Sequence, residues 1–404
     1  MKYKHFKQAL LFKVGSILIS MMRIQKYLIV FVVILSFVSC KGTDEESCSI
    51  IDFDEAQVMT EQELFSKVEI ISLQNKDDLI LSNVSQIIVE EPYILIKDSK
   101  NVIYVYTDKG NLVSSSSRKI GNGLGEYSIV TAFGFNSNTN HVEILTPQNL
   151  LCYDTHFNFV KKIPLPTEWS KSGKGMLFFG QIYNLSSEQH ILVPTSISKD
   201  SNKMFIFDSS KAKIKEELDC SEGFVAGINM QEQCFFDFSD HLLGIVPPFV
   251  SEYLYTFDKA KNVFSKAYKI KFGKNGLQAS DVDNLGKNEE RLHNWLMSTE
   301  KEFPITTLET EKYISFLMKK GSNMKKWFML FYDKSSGKIG RINCFSNKEI
   351  VFPLAKNADK TSLYAVVEKN RLQRIISHLK NNNVNISYKE TDNSDYYILK
   401  YLYK

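Results

Sequence analysis

The seven histidines, His5, His141, His156, His190, His241, His293 and His378, are the first candidates for acid–base or metal chemistry, and they stand singly along the chain. None has a second His or a Cys at the short spacing a zinc site uses. The chain also lacks a Gly-x-Ser-x-Gly elbow, a His-Glu-x-x-His helix and a Cys-x-x-Cys pair. Gly121, Gly123 and Gly125 invite a phosphate-cradle reading, because glycine lets backbone N–H groups approach an anion. Their spacing fits neither the dinucleotide fingerprint nor the P-loop, and no helix signal follows. A crossover between sheets that needs positive φ at several positions accounts for them instead. Arg118, Glu126 and Tyr127 flank that crossover, where they would either pin it through charge-assisted hydrogen bonds or face a ligand. No local motif carries a reaction, so a site has to be assembled from side chains distant in sequence. Asp98, His141, His190 and His241 lie near strand ends that could converge in this way, although a turn or surface role fits each of them better.

Cys40 carries a different kind of chemistry. Before it the chain holds six basic residues, Lys2, Lys4, Lys7, Lys13, Arg23 and Lys26, and no acid, and residues 27–38 are almost wholly apolar. That run is shorter than the roughly 20 residues a membrane span requires. It suits the apolar core of a signal peptide, with Met22 as the expected true start. Small Ser39 directly before Cys40 matches a thiol that receives a diacylglycerol, so residues 1–39 read as a leader and residues 40–66 as a lipidated, polar tether. The expected membrane partner is reached through acyl chains alone. The formal charge of +4 belongs to the leader: without it, 44 basic residues face 46 acidic ones. A near-neutral body with no basic stripe gives no argument for a nucleic-acid partner. The remaining cysteines form no framework, though Cys220 and Cys234 could pair in an oxidising compartment.

The elements that would position a site come from a repeat. Of 404 residues, 43% are hydrophobic and 12% aromatic, which excludes disorder and leaves room for a large core. Tyr and Phe cluster with Ile and Val in short runs that end in Asp108, Asp154, Asp208, Asp258 and Asp333. Each run reads as a buried strand entering a tight turn whose Asp accepts bonds from the turn's own N–H groups. The first four Asp residues are 46, 54 and 50 apart, the length of one four-stranded propeller blade. Around the first, residues 85–89, 93–97, 102–107 and 112–116 parse as four strands. The longer step of 75 to Asp333 leaves room for an insert containing a helix over residues 284–298, with Leu285, Leu292, Trp295 and Leu296 on one face. A sixth blade takes residues 361–367 and 396–403 from the C-terminus and residues 68–73 from the N-terminus, which closes the ring and removes exposed edges. Leu372, Ile375, Ile376 and Leu379 mark an amphipathic helix over residues 368–380. The expected fold is therefore all-β, a six-bladed β-propeller of four-stranded antiparallel blades over residues 67–404, with one or two inserted helices.

The signal at Cys40, the passage from Tyr104 to Asn111 followed by Arg118 to Tyr127, and the closing run from Tyr396 to Lys404 together resemble the six-bladed, NHL-like β-propeller lipoproteins of Bacteroidota. Leu124 stands where that family's glycine segment carries proline. The resemblance implies the propeller fold and a place in the cell envelope, at the outer membrane, more than it implies an activity. Two functions follow: a binding or scaffold module for a protein or glycan partner with no cofactor, or a hydrolase or lyase with a metal or carboxylates in the central channel.

Overall fold

The computed structural model describes residues 48–74, 81–166, 179–194, 203–219, 233–247, 251–278, 280–281, 289–321, 323–343, 345–346, 349–350, 355–388 and 394–404. The leader, Cys40, Leu285 and Cys220 fall outside these residues, and with them the expected pairing of Cys220 and Cys234. The described residues belong to one unit, Cys48–Lys404.

Six antiparallel sheets follow one another as blades. Blade 1 holds Val84–Glu90, Tyr93–Asp98, Ile103–Thr107 and Leu112–Ser115. Blade 2 holds Ala132–Asn136, His141–Leu145, Asn149–Tyr153 and Phe159–Pro164. Blade 3 holds Phe179–Asn184, Gln189–Pro194, Lys203–Asp208 and Lys213–Asp219. Blade 4 holds Phe235–Asp237, Leu242–Ile245, Tyr253–Asp258 and Val263–Lys271. Blade 5 holds Glu302–Glu309, Tyr313–Lys320, Asn323–Asp333 and Ile339–Asn343. In blade 6, Asn357–Ala358, Ser362–Glu368 and Tyr396–Tyr403 are joined by the N-terminal strand Phe65–Ser72, so the two ends of the chain share one sheet. This closure matches the sequence expectation.

Residues 48–66, expected to belong to the tether at 40–66, are also built into the ring. Ser49–Asp52 pairs in parallel with the outer strand of blade 4, and Gln57–Val58 does so with that of blade 5. Sequence reasoning missed these strands because they are only four and two residues long and stand beside the polar run at residues 41–47, although Ile51 and Phe53 are buried. Helix α1, Glu61–Leu64, then leads into the closing strand. Helix α2, Glu289–Ser298, occupies the insert between blades 4 and 5, and helix α3, Lys369–Asn381, buries Leu372, Ile375, Ile376 and Leu379 as their spacing requires.

The aromatic phrases fill the wedges between blades. Alternation along a strand sends successive side chains to opposite sheet faces. In blade 1, Ile103 and Val105 join the cluster shared with blade 2, while Tyr104 and Tyr106 join the one shared with blade 6. In blade 3, Phe205 and Phe207 pack toward blade 2, and Met204 and Ile206 toward blade 4. Every third strand is thus buried on both faces, and large aromatic side chains supply the volume that a ring of tapering gaps demands.

The turns after these strands follow the expected chemistry in four cases. Asp154 accepts from the N–H groups of His156 and Asn158, Asp208 from Ser210 and Lys211, Asp258 from Ala260 and Lys261, and Asp333 from Ser335 and Ser336. Side-chain hydrogen bonds from Ser210 and Lys211 pull the Asp208 carboxyl down to about 2. In blade 1 the task falls to Thr107, whose hydroxyl accepts from Lys109 and Asn111 N–H, so Asp108 is displaced from the role by one position.

Candidate functional site

The first strand of each blade lies innermost, and its C-terminal end runs to one face of the ring. Because strands alternate in direction, the turn after the first strand and the turn after the third emerge on that same face. They are bonded to each other: Asp108 N–H to Pro92 O at 2.9 Å, Ser209 to Glu188 at 2.8 Å, Lys259 to His241 at 2.7 Å and Lys334 to Lys312 at 2.8 Å. The repeated Asp turns therefore emerge at this end, and the one after Asp258 reaches the channel mouth through Lys259 and Ala260.

A cavity of about 920 Å³ opens there. Its inner wall comes from the first strands of blades 1 to 4, and its rim from their turns and from residues 358–361 of blade 6. Amides and hydroxyls contribute through Gln181, Asn184, Asn138 and Tyr183, and charge through Glu90, Asp237, Lys259 and Lys360. The best-ordered group is a triad. Tyr183 donates its hydroxyl to Asp237 at 2.7 and 2.8 Å to the two oxygens, and Lys259 Nζ reaches Asp237 Oδ1 at 2.7 Å and the Tyr183 oxygen at 3.1 Å. Burial and the neighbouring Asp237 charge raise the Tyr183 hydroxyl far above its ordinary range, so it stays a donor.

Glu90 ends the first strand of blade 1 and Asp237 that of blade 4, on opposite sides of a ring of six. Burial first, and the Asp237 charge second, push the Glu90 carboxyl up to about 8; Lys259 and Lys360 oppose the shift. Glu90 thus favours its protonated form at neutral pH, while Asp237 is held by its lysine. This arrangement can offer a neutral donor and a fixed anion to one ligand.

The candidates named from sequence are dispersed. Asp98 is fully buried at the other end of blade 1, where it accepts from the N–H groups of Lys100 and Val102 and from the Ser82 hydroxyl. Of the three histidines, His241 lines the cavity. His190 is buried between blades 2 and 3, with Nδ1 2.7 Å from Asn184 Oδ1 and 3.4 Å from Glu143 Oε2, and burial pulls it down to about 4. Beside it, burial pushes the Glu143 carboxyl up to about 7 although Asn136 donates to it at 3.0 Å. His141 is partly buried and lowered by the same cause. Among the described residues no three of His, Cys, Asp and Glu gather as a metal-ligand set.

The glycine crossover lies between blades 1 and 2. Tyr127 is buried, donates to Asn101 O at 3.1 Å and shares a hydrogen bond with the Ser116 hydroxyl. Glu126 accepts from Gly123 N–H at 2.8 Å. Arg118 is exposed and has no ion pair among the described residues. Positive φ is confined to Gly125, at 71°, where a Cβ would strike the Phe159 ring; Gly121 and Gly123 are needed for the room they leave the Glu126 carboxylate. The expectation of positive φ at several of these glycines is corrected accordingly.

Sequence reasoning missed Glu90, Tyr183, Asp237 and Lys259. A signal was present: polar residues close the first strands at Glu90, Asn136, Asn184, Asp237 and Glu309, at intervals of 46, 48, 53 and 72 that track those of the Asp turns.

Among the solved structures similar to this chain, two share its fold over most of their length. A Bacteroides fragilis NCTC 9343 protein that is described as exported is 16% identical, with a TM-score of 0.63 over 88% of this chain and 100% of the other. A member of the DUF4221 family from Bacteroides vulgatus ATCC 8482 is 8% identical, with a TM-score of 0.50 over 85% of this chain and 98% of the other. No curated protein matches. The family model described as a domain of unknown function, DUF4934, matches residues 48–400, which is the propeller from its first added strand almost to its last, and the chain belongs to that family.

Proposed function

We propose that this protein is an exported cell-envelope lipoprotein, attached to the membrane through Cys40, whose propeller is a binding module for a glycan partner at the channel mouth. The observation that carries the binding reading is the 920 Å³ cavity, whose size suits a ligand of several sugar units. Its wall offers amides, a fixed carboxylate and a phenol in place of a continuous apolar surface, which fits hydroxyl-rich partners better than an apolar peptide. Export is supported by the leader and by the fold shared with an exported Bacteroides protein. Cys40→Ala should leave the protein unlabelled by a palmitate analogue in cells, and persistent labelling would defeat the anchor. A glycan array probed with the soluble body, residues 41–404, should give hits that Asp237→Asn loses.

One observation favours a second reading, a hydrolase or lyase: Glu90, its carboxyl raised to about 8, and the lysine-paired Asp237 line the same cavity. Paired carboxylates in unlike protonation states can act as acid and base. Release of reducing ends from an array hit would support it, whereas hits recovered intact after long incubation would leave the binding module.

A further inference from the structure

Five acidic side chains, Glu90, Glu91, Asp237, Asp240 and Asp359, line the channel mouth, and they differ in what answers them. Asp359 accepts from the Thr361 and Ser362 N–H groups and from the Tyr364 hydroxyl, with Lys400 3.8 Å away, and Glu91 and Asp240 are exposed. Lys259 is already committed to Asp237 and Tyr183. Glu90 lines the same space, and among the described residues its carboxyl makes no hydrogen bond or ion pair. A carboxyl that lines the cavity with no lysine at ion-pair distance, opposite one that a lysine satisfies, can seat a positively charged ligand.

We infer that the channel mouth selects glycans bearing a free primary ammonium group, that is, de-N-acetylated amino sugars, with the ammonium seated against Glu90. The inference rests on the glycan-binding reading and names the class of sugar. The volume argues for a sugar over a lone lysine side chain, which would fill a small part of it. An incoming ammonium replaces the proton that Glu90 carries in the empty cavity, so binding of a sugar already protonated at its amine releases that proton to solvent. The groups that tune this exchange are Asp237, which disfavours the Glu90 charge, and Lys259 and Lys360, which favour it.

The test is calorimetric titration of the soluble body with a chito-oligosaccharide tetramer in fully N-acetylated and fully de-N-acetylated forms, in two buffers of different ionisation enthalpy. At a pH low enough that the sugar amines are fully protonated, the de-N-acetylated form should bind about tenfold tighter or more, as one charge-assisted contact implies, with net proton release. Glu90→Gln should reduce the preference to about twofold or less and abolish the proton release. Lys360→Ala should tighten the amine form about threefold by removing a competing cation, a gain that a folding defect would not produce. Equal affinity for the two tetramers, or a preference unchanged in Glu90→Gln, overturns the amine selectivity and leaves the glycan module standing. Binding of neither tetramer while tetralysine binds overturns both.

Discussion

Two lysine–carboxylate pairs in adjacent blades have the same length and different surroundings. Lys334 meets Glu309 Oε1 at 2.7 Å, and Lys259 meets Asp237 Oδ1 at 2.7 Å. The two lysines are exposed to the same degree, 15% and 18%, but the Glu309 carboxylate is 2% exposed and that of Asp237 34%. Glu309 is buried between blades 4 and 5 at the base of a smaller cavity of about 370 Å³, its Oε2 without a hydrogen-bond partner and its lysine stacked 4.0 Å over the Phe238 ring. Burial raises its carboxyl, against the pull of Lys334. Asp237 looks into the channel-mouth cavity, where water or a ligand can complete its shell. One geometry thus serves two ends: the buried pair holds blades together, and the open pair presents charge. Solvent access, more than distance, separates structure from site.

The contrast is broken most forcefully by Lys334→Met. It strands Glu309 in the interface and should cost about 3–5 kcal/mol of stability at pH 7 by urea unfolding, whereas a loss below about 1 kcal/mol would mean that the interface is wetter than its packing. Next comes the other buried carboxylate. Glu143 has its carboxyl raised from the ordinary 4.5 to about 7, so between these values the native state binds more protons and stability falls as pH rises, by up to about 1.4 kcal/mol per pH unit. His190, pulled from 6.5 to about 4, binds fewer protons when folded, and its contribution rises with pH over that interval. The two cancel where they overlap, between about 4.5 and 6.5. Glu143→Gln should expose the histidine alone, and unfolding midpoints should climb from pH 4 to 6.5; a flat profile would show that the pair titrates as one unit. Lys259→Met, the open counterpart, should cost about 1 kcal/mol or less, because Asp237 remains within reach of water. Smallest of all, Arg118→Ala should change stability by less than about 0.5 kcal/mol, consistent with an exposed side chain that pins nothing.

The propeller was legible because its third strands repeat a loud pattern, apolar and aromatic residues running into an Asp, and burial on both faces leaves few other ways to write them. Closure by Phe65–Ser72 followed from the same need to cover an edge. The strands Ser49–Asp52 and Gln57–Val58 were not legible, since they lie on blade edges and share no phrase. The site was hidden for a related reason. Inner strands are short and mixed in composition, as Gln181, Ile182 and Tyr183 show, because one strand must line a polar channel and pack into a blade. Single residues from four blades meet at the mouth only once the ring has closed. Histidines attracted notice by type, yet His190 was packed away in an interface and His241 reached the cavity by its place in a turn. Position within the blade, not residue type, decides which polar groups can meet a ligand.

The decisive measurement compares glycan binding by the soluble body, Lys259→Met and Glu143→Gln, all checked for equal folding by circular dichroism at pH 7. A site at the channel mouth predicts that Lys259→Met loses affinity by about tenfold or more, since Asp237 and Tyr183 lose their common partner, while Glu143→Gln binds as the parent does. Equal affinity in Lys259→Met, or a matching loss in Glu143→Gln, would contradict it.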